Sequence, residues 1–263
     1  MLSVVSFGGG VNSTALLVGL QERGERPDRI LFADTGGERI ETYEHVAEVS
    51  AWCVTVGFPE IERVNNAARE GFPHESLEDE CLNNHTLPSL AYGNKGCSAK
   101  WKRQPMDRAV KAWPLAIAAH ERGEKIERLI GIDWGEQHRS ANLMTADDPW
   151  FVYRRPLVDW VWAREECLEA ISRAGLRQPP KSACWFCPAT RKHEVLDLAS
   201  REPSLFRRAV AMERNAAPNN GPTTKGLGRA WSWEKLVKAD RDQLKLFPEI
   251  QEVSCLCFDG EED

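Results

Sequence analysis

The sequence lacks several features that would assign it to a common class. No apolar run approaches the roughly 20 residues that a helix needs to span a bilayer, so we expect a soluble protein without a membrane partner. It begins without a basic segment ahead of an apolar stretch, which argues against a secretory signal and predicts a cytoplasmic location. It has no internal repeat and no excess of positive charge. The net charge of −6 means that nucleic acid would have to bind through a local basic patch.

The composition is that of an ordinary folded chain. It has 263 residues, of which 42% are hydrophobic and 28% charged, so it can form a real core. This length suits one elaborated α/β domain with a smaller appendage. The eight cysteines, in a reducing compartment, are more typical of metal ligands, reactive thiols or core residues than of disulfides.

Apolar strands alternate with segments of helical spacing along the first half of the chain. Strands are predicted at residues 2–7, 29–33, 51–56, 61–64 and 128–133, and helices at residues 11–21, 38–51, 105–122, 163–174, 191–200 and 204–215. This alternation predicts an α/β fold with a doubly wound parallel sheet. We predict an adenine-nucleotide-binding domain over residues 1–160 with a loop insertion at about 65–103, a helical C-terminal cap over 161–250 and a mobile acidic tail over 251–263.

A glycine run separates the first predicted strand from the first predicted helix. Without Cβ atoms, the backbone N–H groups there can approach a phosphate, and the helix N-terminus adds partial positive charge. The run fits neither GxGxxG nor GxxxxGK[ST], which disfavours a dinucleotide fold and a Walker NTPase. A tight turn without a ligand is the alternative. The residues of this candidate cradle are Gly8, Gly9, Gly10, Asn12 and Ser13.

Five motifs, in order, resemble those of one family. The sequence resembles the phosphoadenosine phosphosulfate (PAPS) reductase branch of the adenine nucleotide alpha-hydrolase (PP-loop) superfamily over about residues 3–190. The matching segments are SFGGGVNS at 6–13 (family SxSGGxDS), FADTG at 32–36 (DTG), GIDWGEQHR at 131–139 (GxxxxExxxR), PLVDW at 156–160 (PLxDW) and CWFCP at 184–188 (CxxCP).

The resemblance implies a five-stranded Rossmann-like sheet with an adenine nucleotide, ATP or PAPS/APS, across the carboxyl ends of its strands. It places Ser6, the three glycines and Ser13 at phosphate, Asp34 and Thr35 near the adenosine, and Glu136 and Arg139 at the reacting phosphate or sulfate. Two positions depart from the family pattern. Gly8 replaces a serine and Asn12 replaces an aspartate, which changes how Mg²⁺ would be held.

The cysteines are candidate ligands and nucleophiles. The CxxC of Cys184 and Cys187, with the more distant Cys97, suits an iron–sulfur cluster, which we expect to be [4Fe-4S]. Cys81, a tail cysteine or an open iron position would complete it. A zinc site or a redox dithiol is the alternative.

Two further groups have predicted roles. Cys255 and Cys257 lie near the acidic end, where a mobile thiol could act as nucleophile, although the family's ECGxH-like setting matches only in part. The cations beside Cys97 form a candidate patch for substrate phosphate or nucleic acid, with Trp101 available to stack on a base; a solvated helix start is the alternative. These cations are Lys100, Lys102 and Arg103, with Lys95 nearby.

Three functions are compatible with this pattern. The first is reduction of a sulfonucleotide to sulfite by a thiol nucleophile, with a thioredoxin-like reductant as partner. The second is ATP-dependent, iron–sulfur-dependent insertion of sulfur into a nucleic acid or a small molecule, with a sulfur donor as partner. The third is a non-catalytic nucleotide-binding or sensor module. We expect the first; the sequence predicts no oligomeric state.

Overall fold

The computed structural model describes residues 1–140 and 147–246, apart from the side chains of residues 139, 140 and 243–246. Its centre is a sheet of five strands in the order β3-β2-β1-β4-β5, with every neighbouring pair parallel. This arrangement confirms the predicted α/β doubly wound sheet. The strands are β1 (Ser3–Phe7), β2 (Arg29–Ala33), β3 (Ile61–Val64), β4 (Ile126–Ile130) and β5 (Phe151–Arg154).

Helices cover both faces of the sheet and form the C-terminal part. A π-helical turn (Ala99–Arg103) joins α4 to α5, and 3₁₀ turns lie at Ser89–Tyr92, Trp134–Ser140 and Ala217–Asn219. In chain order the helices are α1 (Val11–Glu22), α2 (Ile40–Thr55), α3 (Leu77–Asn83), α4 (Gly96–Ser98), α5 (Gln104–Lys111), α6 (Pro114–Glu121), α7 (Pro156–Asp159), α8 (Arg164–Arg173), α9 (Lys192–Arg201), α10 (Pro203–Ala216) and α11 (Trp233–Leu246).

Alternation along the buried strands divides the sheet's packing into two layers. Val5 packs with α1, α2 and α8 on one face, while Val4 packs with α5 and α6 on the other. Cys167 and Ile171 of α8 belong to the same core as β1, so this core continues past residue 160. A third apolar cluster joins α3 and the segment around Trp101 to the CxxC and α9–α11.

Several predicted elements were wrong in detail. The strand expected at residues 51–56 is the end of α2, because Val46, Val49 and Cys53 bury one helical face. The strand expected at 128–133 is β4, which ends at Ile130 so that the chain can turn into the site. The helix expected at 105–122 is divided at Pro114, whose ring cannot continue a helix.

The insertion at residues 65–103 contains short helical elements. It contains α3, which Ser76 caps by accepting a hydrogen bond from the backbone N–H of Asp79 at 3.0 Å. Leu77 and Cys81 of α3 then pack into the third cluster, which explains why this helix forms. No helix among the described residues is both long enough and apolar enough to cross a bilayer.

Candidate functional site

The strand order creates a crevice between the carboxyl ends of β1 and β4. The chain leaves β1 towards β2 on one side, whereas β4 and β5 lie on the other, and open α/β sheets bind ligands at such a switch point. The loops that follow these two strands touch each other. A Cβ at Gly131 would lie 2.8 Å from the backbone of Asn12 and Ser13, so only glycine permits this approach.

The glycine loop makes a sharp turn from β1 into α1. Gly9 has a left-handed backbone with φ of 71°, and α1 then starts at Val11 with no acidic residue in its first turn. The Ser13 hydroxyl bonds the N–H of Gly10 at 3.2 Å and its carbonyl at 3.0 Å, which fixes the entry into the helix. Gly8 is exposed beside it. Ser6, below the loop, accepts a hydrogen bond from buried Arg128 at 3.1 Å, so its hydroxyl is already engaged.

Two carboxylates lie against the start of α1. The Asn12 amide donates to Asp133 at 3.0 Å and to Glu136 at 3.4 Å, and the Glu136 N–H donates to Asp133 at 2.9 Å. Asn12 Oδ1 is buried and has no hydrogen-bond partner among the described residues. These three side chains line a cavity of about 450 Å³ that Arg164 also borders. Mg²⁺ typically binds through one or two carboxylates together with substrate phosphates, so this set suits a metal-bound phosphate chain.

Asp34 and Thr35 follow β2 on the other side of the glycine loop. Asp34 accepts hydrogen bonds from the Tyr43 hydroxyl at 2.7 Å and the Gly36 N–H at 2.8 Å, and pairs with Arg63 at 2.7 Å. Burial, reinforced by this carboxylate, raises the pKa of Tyr43. Thr35 is buried, and its hydroxyl lies 3.1 Å from the sulfur of Cys184. Their contact with adenosine stays a prediction.

The CxxC segment lies over the carboxyl ends of β1 and β2. Trp185 donates its N–H to the carbonyl of Gly37 at 2.9 Å, and the hydroxyl of Ser182 donates to the carbonyl of Gly8. Gly37 must be glycine because a Cβ would lie 2.5 Å from the ring of Phe186. The cysteine segment is therefore bonded directly to the glycine loop.

A buried carboxylate stands next to Cys184. Glu38 Oε1 accepts a hydrogen bond from Lys102 Nζ at 3.0 Å and lies 3.9 Å from the Cys184 sulfur, while Oε2 has no partner among the described residues. Burial raises the pKa of the Cys184 thiol, and Glu38 raises it further while Lys102 opposes this. Burial alone would lower the pKa of Lys102, but Glu38 raises it to about 12.

The predicted metal ligands are neighbours without forming a ligand set. Cys81, Cys97, Cys184 and Cys187 all contribute to the third apolar cluster. Among the described residues, however, no group of three or more His, Cys, Asp or Glu side chains is placed to hold a metal ion. The described thiols therefore do not fit an iron–sulfur cluster or a zinc ion as they stand, and both stay predictions.

The cations beside Cys97 are largely engaged by carboxylates. Lys100 pairs with Glu80 and Lys102 with Glu38, whereas Arg103 is exposed. The expectation that Trp101 stacks on a base was wrong, because this ring is 1% exposed and its Nε1 donates to Glu80. The π-helical turn that carries Trp101 packs against α3, and this packing removes the ring from the surface.

Three predicted catalytic groups lie outside the described part of the chain: Cys255, Cys257 and the side chain of Arg139. Three residues of the site were not singled out from the sequence. Asp133 follows an apolar strand and could have been recognised by its position, as could Glu38 after the DTGG turn. No local signal marks Ser182, which reaches Gly8 across 174 positions of the chain.

No family model matches this chain, and no curated protein matches it. Its fold has a distant likeness to the solved structure of the U34-tRNA thiolase NcsA from Methanococcus maripaludis with its [4Fe-4S] cluster. The identity is 15%, the match covers 93% of this chain and 72% of that one, and the TM-score is 0.42. A superposition this loose does not bear on activity.

Proposed function

We propose that the protein is an enzyme that uses ATP to drive a sulfur transfer. The observation that carries the proposal is the pair of carboxylates, Asp133 and Glu136, beside the glycine loop. Two carboxylates repel a bare phosphate chain but favour one that brings a divalent cation. Adjacent phosphates chelate Mg²⁺, whereas a sulfate oxygen binds it weakly. The site therefore suits Mg·ATP better than a sulfonucleotide, and the motifs that resemble the nucleotide alpha-hydrolases support an adenine nucleotide.

The reaction would consist of two substitutions. An oxygen of the acceptor attacks the α-phosphorus of ATP, an O–P bond forms and pyrophosphate leaves with the negative charge. Backbone N–H groups at the start of α1 stabilise that charge. A sulfur nucleophile then attacks the activated carbon of the acceptor, a C–S bond forms, and the C–O bond breaks to release AMP.

The thiols near the loop would supply the sulfur. Cys97 and Cys187 are partly exposed, whereas Cys184 is buried. In this proposal one of the partly exposed cysteines carries the sulfur as a persulfide. After AMP leaves, a second thiol attacks the carrier's own sulfur, which releases the thiolated acceptor and leaves a protein disulfide. A dithiol reductant of the thioredoxin type restores the pair.

The test measures binding and products for three nucleotides in parallel. Binding of ATP, PAPS and APS is measured by calorimetry, each with and without Mg²⁺. Of these six conditions, only ATP in the presence of Mg²⁺ is expected to bind tightly. Incubation with ATP, an acceptor and a sulfur donor should yield AMP and pyrophosphate. Sulfite from PAPS or APS would contradict the proposal, and binding of ATP without AMP formation would favour a nucleotide-binding module.

A matched pair of variants tests the carboxylates. Glu136→Gln should lower the affinity for Mg·ATP, because it removes a carboxylate that attracts the cation, and should raise the affinity for metal-free ATP, because the same carboxylate repels bare phosphates. Glu165→Gln removes an exposed carboxylate on nearby α8 and should change neither affinity. Equal effects of the two changes would mean that net charge, and not this position, governs binding.

A further inference from the structure

A second cavity, of about 340 Å³, lies between α3, the 3₁₀ turn at Ser89–Tyr92 and α4. Its volume is at the lower end of the range for small-molecule sites. Leu87, Pro88 and Trp101 give it a mainly apolar wall, and two cysteines, Cys81 and Cys97, also line it. None of the nucleotide-binding residues borders this space.

The charges in this wall cancel each other. Glu80 accepts hydrogen bonds from both Lys100 Nζ and Trp101 Nε1, so its carboxylate is held by partners within the wall. The Glu80 carboxylate would repel an anionic ligand. A cationic ligand would be repelled by the Lys100 ammonium, which is already paired with Glu80. Burial of an unpaired charge in such surroundings is costly, so the cavity favours an uncharged ligand.

The two thiols differ in access. Cys81 is 2% exposed, whereas Cys97 is partly exposed at the start of the helical segment that leads to Lys102. The N–H of Cys97 donates to the hydroxyl of Ser89, which fixes its backbone at the cavity wall. Cys97 and Cys187 both pack against the third apolar cluster.

We propose that this cavity binds a small organic persulfide in its protonated, uncharged form and that Cys97 receives its outer sulfur. This inference rests on the proposed function, for which it names the sulfur donor and its point of entry. The Cys97 thiolate attacks the outer sulfur of the donor, and a new S–S bond forms. The donor's own S–S bond breaks, and the donor leaves as a thiolate that carries the negative charge. The hydrogen of the donor stays on the transferred sulfur, so Cys97 then holds the persulfide.

The charge preference is tested by alkylation of the wild-type protein. Uncharged iodoacetamide and anionic iodoacetate are applied separately, and mass spectrometry gives the rate at each cysteine. The ratio of the two rates should be about tenfold higher at Cys97 than at Cys187, because the cavity disfavours the anion. Equal ratios at the two thiols would overturn the assignment of an uncharged ligand.

A filled cavity tests the transfer itself. Thr86→Trp places a large ring at the cavity wall, and Asn84→Trp places the same ring on the exposed end of α3 as a control. With 2-hydroxyethyl hydropersulfide as the probe, mass spectrometry should find one added sulfur on Cys97 in the wild type and in Asn84→Trp. In Thr86→Trp the rate should fall by about tenfold or more, since one lining side chain then occupies much of the space.

The contrary outcomes are distinct. Addition of sulfur first to Cys187, or an undiminished rate at Cys97 in a folded Thr86→Trp, would overturn the inference. If Thr86→Trp does not fold, the alkylation ratio in the wild type decides. ATP affinity, measured in the same variants, should stay at the wild-type value, because the cavity shares no residue with the glycine loop. If the wild-type protein does not bind ATP, that result would instead refute the proposed function.

Discussion

At the scale of single residues, a substitution at Gly8 tests whether the backbone of the glycine loop approaches the phosphates of ATP. This substitution does not strain the fold. A Cβ there would have only the Ser13 hydroxyl nearby, at 3.8 Å, and Gly8 is exposed at the end of β1. Gly8→Val should therefore fold normally but obstruct the phosphates, lowering ATP affinity by about tenfold or more in calorimetry. Gly221→Val is the control, since a side chain there meets nothing within 4 Å. Unchanged ATP affinity in Gly8→Val would remove the loop from the site.

A second prediction at this scale concerns pH and His45. This imidazole is buried, and its Nε2 lies 2.9 Å from the Thr14 hydroxyl, which joins α2 to α1. Burial lowers its pKa below 6.5; Arg177 lowers it as well, and Glu48 opposes the shift. The unfolded chain therefore binds the proton more readily, so the contribution of His45 to stability is present above pH 6.5 and is lost as pH falls below it.

The measurement for His45 is urea unfolding across this pH range. The free energy of unfolding of the wild type should fall more steeply below pH 6.5 than that of His45→Gln, in which the titrating group is gone. Carboxylates that titrate at lower pH affect both proteins alike, so the difference isolates the imidazole. Parallel curves would show that His45 does not titrate in this range.

At the scale of elements, a buried carboxylate anchors the C-terminal helix. Glu213 of α10 accepts hydrogen bonds from the N–H groups of Leu227 at 2.7 Å and Trp233 at 2.9 Å, and from the Ser232 hydroxyl at 2.7 Å. It thus occupies the position of a capping anion at the N-terminus of α11. Glu213→Gln should lower the free energy of unfolding by about 2 kcal/mol, because one of these donors would then face an amide N–H.

Glu234→Gln is the matched control for this anchor. Glu234 lies in the first turn of α11, and its side chain forms an exposed ion pair with Arg214, so its loss should cost about 0.5 kcal/mol or less. Chemical denaturation measures both variants. If both changes cost the same, the backbone bonds to Glu213 do not stabilise the C-terminal helices.

The elements that sequence patterns predicted well are those whose packing is local. β1, the glycine turn and α1 follow from an apolar run, a glycine run and helical spacing, and β2 and β3 lie where they were expected. The end of α2 was mistaken for a strand because Cys53 and Val54 favour a strand locally, while burial of Val49 and Cys53 on one helical face decides the outcome. The edge strand β5 was not predicted from the sequence.

The site was predictable only in part, for the same reason. The glycine loop and Glu136 were recognised within contiguous motifs. The bond between Asn12 and Asp133 spans 121 positions and the one between Ser182 and Gly8 spans 174, and no local pattern encodes either. They arise because parallel strands bring their carboxyl ends to one edge of the sheet, onto which the CxxC segment then packs.

At the scale of the whole molecule, the CxxC segment joins two parts with different chemistry. The sheet and its helices position the glycine loop, whereas the third apolar cluster contains Cys81, Cys97, Cys184 and Cys187. Ser182 and Trp185 connect the two through bonds to Gly8 and Gly37. Phosphate bound at the glycine loop, as proposed, would therefore lie beside the segment that carries the thiols.

The last prediction separates ATP-driven sulfur transfer from sulfonucleotide reduction. A reductase would need a nucleophile that can meet both the nucleotide and a reductant, and the candidates are Cys255 and Cys257, which lie outside the described residues. Cys53 and Cys167 are excluded from that role, because burial raises the pKa of each thiol to about 12 and neither is accessible.

The double variant Cys255→Ser, Cys257→Ser should keep the wild-type rate of AMP formation from ATP, since the proposed carriers are Cys97 and Cys187. Neither protein should release sulfite from PAPS or APS. Sulfite from the wild type that disappears in the double variant would identify the tail as the nucleophile and replace the ATP-dependent reaction with reduction.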